Sequence, residues 1–193
     1  KEVGKSAILD TSSYGGYFIS PEESLDGGIP YYLKDGKDLT PSKEKIENEI
    51  GNYVDNLIYF CVGEFENFED YVIDDGEIKT IVNIEKEKVI FDVNYPISIT
   101  KGENTYNINS FGAEIPARLG IIYDSVKFIM DDQMKDKKSI CITCLHQISE
   151  SYDFYVNTIN ADKNTIIYTI KDENVKINDK PLVFNFVNEL EGL

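Results

Sequence analysis

The residues best equipped for chemistry are Cys141, Ile142, Thr143 and Cys144, a C-x-x-C spacing followed closely by the single histidine, His146. In a redox enzyme such a pair sits at a helix start after a strand, where the helix dipole lowers a thiol pKa. Here a lysine-rich stretch (Lys135, Lys137, Lys138) precedes it, without a β-α-β pattern. With no second C-x-x-C, a zinc knuckle is excluded. On a helix the two sulfurs would lie one turn apart and could close a disulfide. The simpler expectation is that one or both are small core residues. Cys61 falls on the apolar stripe of a helix, and three cysteines are an odd number. In an oxidising compartment that leaves a free thiol or a partner outside this chain.

One histidine removes most metal and nucleophile schemes, since a zinc site needs several His or Cys ligands. No nucleophile-elbow pattern accompanies His146, which is expected to be an ordinary, partly buried residue. The acid pairs are Glu22-Glu23, Asp74-Asp75, Asp131-Asp132 and Asp172-Glu173. Two carboxylates can cleave a glycoside only when opposed across a cleft, whereas neighbours in turns stay solvated. None fits an EF-hand calcium loop. Gly4-Lys5-Ser6 lacks the leading glycine and preceding strand of a phosphate-binding loop. No catalytic residue, cofactor or metal site is assigned. Tyr14 and Tyr17 flank Gly15-Gly16, and Tyr31-Tyr32 follow Pro30. These four are a candidate recognition loop, set against the simpler expectation of a turn pinned to the core by its aromatic rings.

With 193 residues the chain is long enough for one domain with a sizeable core. It is 41% hydrophobic and 28% charged, a composition that folds. A net charge of −16 and a pI near 4.4 argue against binding a phosphate backbone or an anionic membrane surface. No run approaches the ~20 apolar residues that cross a bilayer. Lys1 stands where a Met would open a chain, so a processed or trimmed chain is expected, with membrane contact only through a missing N-terminal anchor.

The elements that must position these residues are readable from periodicity. Glu77–Thr100 alternates apolar and polar residues on both sides of Glu85–Lys88, which predicts a hairpin with Ile78, Thr80, Val82, Ile84, Val89, Phe91, Val93 and Tyr95 on its buried face. Asp70–Ile73 is expected as a preceding strand that turns at Asp74-Asp75-Gly76, and Ile97–Thr100 with Thr105–Asn109 as a further hairpin. Pro96 is expected at a bulge or break. Lys1–Ser13 reads as a helix ended by Gly15-Gly16. Ser20–Thr40 reads as a long surface loop with residues 30–33 as an edge segment. Thr40 and Pro41 start a helix whose core stripe is Ile46, Ile50, Tyr53, Val54, Leu57, Ile58 and Cys61, with Glu44, Lys45, Glu47 and Glu49 in water. Glu114–Lys135 reads as the longest helix, with Pro116 in its first turn. Ser139–Ser149 fits either a helix or a strand and is assigned as helix. Asp153–Ile159, Thr165–Ile170 and Leu182–Val187 read as strands. The predicted fold is a single α+β domain, an antiparallel β-meander packed against two or three amphipathic helices. It comprises a helical part (1–62), a central meander (68–110), a long helix (114–135) and C-terminal strands (152–188).

Several segments resemble a group of uncharacterised proteins from small-genome archaea. They are Gly15-Gly16-Tyr17 with Ile19-Ser20-Pro21, Ile29-Pro30-Tyr31-Tyr32, the helix from Thr40 to Cys61, Asn94–Gly102 and Ile115–Leu119. The resemblance covers most of the chain. It implies a pilin-like hydrophobic helix and then a cysteine upstream, hence an exported, membrane-anchored or filament-forming surface domain. That upstream cysteine would be a partner for Cys61. The resulting expectation is an extracellular or cell-surface domain without catalysis, working in protein–protein contact, adhesion or filament and surface assembly, with copies of itself or another surface protein as partner. The alternatives are a hydrolase using carboxylates beside Ser20–Thr40 and a thiol redox module using Cys141 and Cys144.

Overall fold

The computed structural model describes residues 1–62, 65, 68 and 70–192, and of residues 61 and 62 it describes the backbone alone. It shows a single α+β domain, with two sheets and four helices among the described residues. The first sheet is mixed and has the order β2-β1-β9-β8-β7, built from β1 (Tyr31–Lys34), β2 (Lys37–Asp38), β7 (Tyr155–Asn160), β8 (Thr165–Ile177) and β9 (Lys180–Glu189). The second is centred on β5 (Lys88–Lys101), with β6 (Asn104–Pro116) along one side. On its other side β4 (Lys79–Ile84) and β3 (Val72–Asp75) lie end to end. Helices α1 (Glu2–Ser13) and α2 (Lys43–Val62) pack on each other, α1 also on β9 and α2 on β4. Helix α3 (Leu119–Gln133) packs on β5 and on α4 (Ile142–Tyr152), which lies against β7. Buried side chains from both sheets and from the helices form one continuous core.

The central hairpin follows its alternation. Thr80, Val82 and Ile84 are buried opposite Val93, Phe91 and Val89, because residues paired across a ladder share a face. Gly15 and Gly16 have φ of 57° and 83°. Pro30 and Ile46 press so closely on them that a Cβ would overlap both neighbours, so the turn after α1 accepts only glycine without strain.

Five expectations are corrected. Residues 30–33 do not form a sheet edge: β1 lies between β2 and β9 and pairs with β9 in parallel, since Tyr32 and Leu33 are fully buried. Asp74 and Asp75 are not a turn but the end of β3, which pairs with the far half of β5 rather than with β4. Residues 114–116 are strand, not helix; Ile115 pairs with Val89 and Pro116 with Lys88, and α3 starts only after Arg118. Sheet pairing here overrides a helical period. Ser42, not Thr40, caps α2, accepting the Lys45 N–H at 3.1 Å. Glu49 does not stay in water either. It is buried, accepts the Phe18 N–H at 2.9 Å and pairs with Lys45 at 2.7 Å, while Glu47 accepts the Ile84 N–H at 2.9 Å.

Pro96 marks a bulge and not a break: β5 runs through it, and the β5–β6 register shifts between Asn94 and Ile97. The missing N–H of proline interrupts the ladder, and its carbonyl accepts the Gly76 N–H at 2.8 Å.

The buried tyrosines give the fold an alkaline limit. Burial raises Tyr53, Tyr95 and Tyr168 to about 12. Hydrogen bonds to Asp10 and Asp75 reinforce the rise at Tyr53 and Tyr95. Burial also lifts Tyr32 well above the ordinary value of 10. A phenol whose folded pKa exceeds its unfolded one stabilises the fold fully below pH 10 and loses that contribution as pH rises to about 12. Urea midpoints should therefore fall steeply between pH 10 and about 12. Midpoints that stay level across that range would contradict this.

Candidate functional site

The loop after α3 delivers the cysteine pair to the start of α4. Gln133, buried at the end of α3, donates from Nε2 to the carbonyls of Asp136 (2.7 Å) and Ser139 (3.0 Å) and accepts the Tyr168 hydroxyl at 3.0 Å. One side chain thus ties the lysine-rich loop to the first sheet. Cys141 is the N-cap of α4, and its Sγ accepts the Cys144 N–H at 3.2 Å. The Thr143 hydroxyl lies 3.4 Å from the same sulfur. Cys141 and Cys144 are joined in a disulfide, with Cα atoms 5.2 Å apart. Cys144 is buried and Cys141 half-buried. The Asp132 carboxylate, on the last turn of α3, lies within 4.8 Å of both sulfurs. Of the readings open for this spacing, the disulfide is formed, and Cys144 also lines the core side. The helix start expected of a redox pair is present, but a loop rather than a strand leads into it.

His146 is not partly buried: its side chain is 71% exposed and pairs with Glu150 at 3.3 Å across one helical turn. The side chain of Cys61 lies outside the described residues. Among the acid pairs, Glu22, Glu23, Asp74 and Asp131 are exposed. Asp75 accepts the Tyr95 hydroxyl. Asp172 is fully buried against Arg118, accepting from its Nε at 2.8 Å. Gly4, Lys5 and Ser6 lie inside α1.

The four tyrosines separate. Tyr14 is exposed, and Tyr17 is half-buried, its phenol pKa raised by that burial. Tyr31 is half-buried with Lys34 Nζ 5.0 Å from its ring centre. Tyr32 is corrected as a recognition residue: it is wholly buried, stacked on Phe186 at 4.9 Å, and donates its hydroxyl to the Gly15 carbonyl at 2.7 Å.

A second feature escaped the sequence reading. The bulge at Pro96 shifts the parity of β6, so that Tyr106 and Ile108 fall on the same face as Phe111, Ala113 and Ile115. Tyr106, Ile108 and Phe111 are exposed by 65%, 39% and 45%. An open, largely apolar groove of about 260 Å³ runs beside them, lined by Ile58, Val93, Tyr95, Ile97 and Phe111, with Lys1 also on its wall. Among the described residues β6 pairs with β5 alone, leaving its other edge free. Residues 104–113 carry no charge. Natural edge strands are usually blunted by lysine, proline or an inward charge, and this stretch has none of them.

No helix among the described residues is long and apolar enough to cross a membrane. No protein-family model matches the chain, and no curated protein is similar to it at a significant level.

Proposed function

We propose that this chain is an extracytoplasmic, cell-surface domain that works by contact, with the free edge and apolar strip of β6 as the contact surface. The observation that carries the reading is that uncharged, unblunted edge. It sits in a chain of net charge −16, whose acidic surface elsewhere repels copies of itself. An edge strand with ladder groups free and apolar side chains beside it takes a neighbouring strand by β-addition. A second copy, or a strand from another surface protein, supplies such a strand. Two β6 edges related by a two-fold axis would pair antiparallel, giving a closed dimer. The disulfide supports export, since such bonds persist in oxidising compartments. The resemblance to pilin-like, membrane-anchored archaeal proteins supports an anchor or filament-forming segment outside this chain.

Light scattering across a concentration series tests this. The expected result is a mass that rises with concentration for the wild type and stays monomeric for Tyr106→Lys, which puts a charge on the strip. Ile19→Lys, in the exposed loop after α1 and off both sheets, should behave as wild type. A wild-type chain that stays monomeric at all concentrations, with and without calcium, overturns self-pairing through β6.

A further inference from the structure

Beyond the contact role, we propose that Cys141 and Cys144 form a redox-active dithiol–disulfide couple, with Cys141 as attacking sulfur, Cys144 as resolving sulfur and Asp132 as proton acceptor. Three placements point there. Cys141 is the more accessible sulfur, half-buried, and sits on the N-cap of the eleven-residue α4. The Cys144 N–H and the Thr143 hydroxyl both lie within hydrogen-bonding reach of that sulfur. Donors at a helix N-terminus favour a thiolate over a thiol. Cys144 lies inside, shielded from an external disulfide, and the Asp132 carboxylate stands within 4.8 Å of both sulfurs, a negative charge that the donors on Cys141 must outweigh. A disulfide needed only as a staple requires neither the unequal exposure nor the carboxylate.

The step balances with an external disulfide, RS–SR, as co-reactant. The Cys141 thiolate attacks one sulfur of RS–SR, forming a mixed disulfide and releasing RS⁻. The Cys144 thiol then passes its proton to Asp132, and its sulfur attacks Cys141 Sγ. The bond between Cys141 and Cys144 forms, the bond to the external sulfur breaks, and the second RS⁻ leaves and takes the proton from Asp132. Two electrons pass from the protein dithiol to the external disulfide. Run backwards, the couple oxidises two external thiols.

The test uses the whole chain, with a chelator present to keep metal ions off the reduced dithiol. Folding of each variant is checked by circular dichroism. First, the oxidised wild type is treated with dithiothreitol without denaturant, and rapid reduction is expected. Second, reduced Cys144→Ser is alkylated with iodoacetamide over a pH series. Cys141 should react half-maximally at a pH below that of a free-cysteine peptide run alongside. Third, the reduced chain is mixed with glutathione disulfide, and mass spectrometry should place glutathione on Cys141. Asp132→Asn should slow the release of glutathione on the order of 100-fold. A disulfide that resists dithiothreitol until the chain unfolds overturns the couple, as does ordinary thiol reactivity of Cys141 or capture at Cys144. Release that is as fast in Asp132→Asn as in wild type removes Asp132 from the mechanism. None of these readouts depends on self-association, so they stand or fall apart from the contact role.

Discussion

Replacing Arg118, the one arginine of the chain, with methionine is expected to cost about 3 kcal/mol of folding stability. Its guanidinium grips Asp172 with two parallel hydrogen bonds, Nε to Oδ2 at 2.8 Å and Nη2 to Oδ1 at 2.5 Å. It also donates from Nη1 to the Tyr152 carbonyl at 2.9 Å and lies 4.5 Å from the Phe154 ring centre. Lysine could not reproduce this fork. Asp172 has no exposed surface, so removing the arginine leaves a buried carboxylate without its countercharge. The carboxylate holds a second structure together: Oδ1 accepts the Asn174 N–H at 2.9 Å and the Val175 N–H at 3.4 Å, where the β8–β9 register shifts between Asp172 and Lys176. A leucine at 172 would therefore orphan those donors rather than relieve the variant. Asparagine keeps an acceptor and drops the charge, so Arg118→Met with Asp172→Asn should regain most of the loss. Urea unfolding of the two variants checks this. A loss under about 1 kcal/mol in Arg118→Met would place the pair among surface ion pairs instead.

Arg118 also marks the limit of what the sequence discloses. The helical period puts it inside a helix begun at Glu114, whereas it is the N-cap of α3, and its partner lies in β8, with no period or spacing connecting positions 118 and 172. The hairpin of β4 and β5 was legible because its alternation and turn are local, and so was the apolar stripe of α2. A helix over Ser139–Ser149 was legible, but not its start: α4 begins at Ile142, with Cys141 as its N-cap. Tyr32 was misread because a turn-rich context hides a short strand whose pairing partner, β9, is far along the chain. The strip on β6 was missed for a different reason. Its apolar residues change parity between Ile108 and Phe111, which reads as a lapse in alternation. The bulge opposite Pro96 restores them to one face. A proline in the partner strand beside a parity change was the available signal. Asp132 lies nine positions ahead of Cys141, across a loop, so its closeness to the sulfurs is a tertiary fact.

Phe186→Ala is expected to cost about 4 kcal/mol, the range for emptying a fully buried aromatic site. Phe186 has no exposed surface and lies between two tyrosine rings, with Tyr168 at 4.8 Å and nearly parallel and Tyr32 at 4.9 Å. Both flanking rings are fixed at their far ends: Tyr32 by the Gly15 carbonyl, Tyr168 by Gln133. The stack cannot close on the cavity without breaking one of those hydrogen bonds, which places the loss above that of a site that collapses. Leucine at 186 refills most of the volume and forfeits the ring contacts, so Phe186→Leu should lose about 1–2 kcal/mol. Because Gln133 also holds the carbonyls of Asp136 and Ser139, loosening Tyr168 reaches the loop that carries Cys141. Hydrogen exchange in that loop should therefore quicken in Phe186→Ala well before global unfolding, while exchange at the β5–β6 hairpin stays as in wild type. Calorimetry and urea unfolding give the loss, and exchange gives its route. If all segments exchange faster in step, the stack supports the core as a whole and has no particular connection to the cysteine pair.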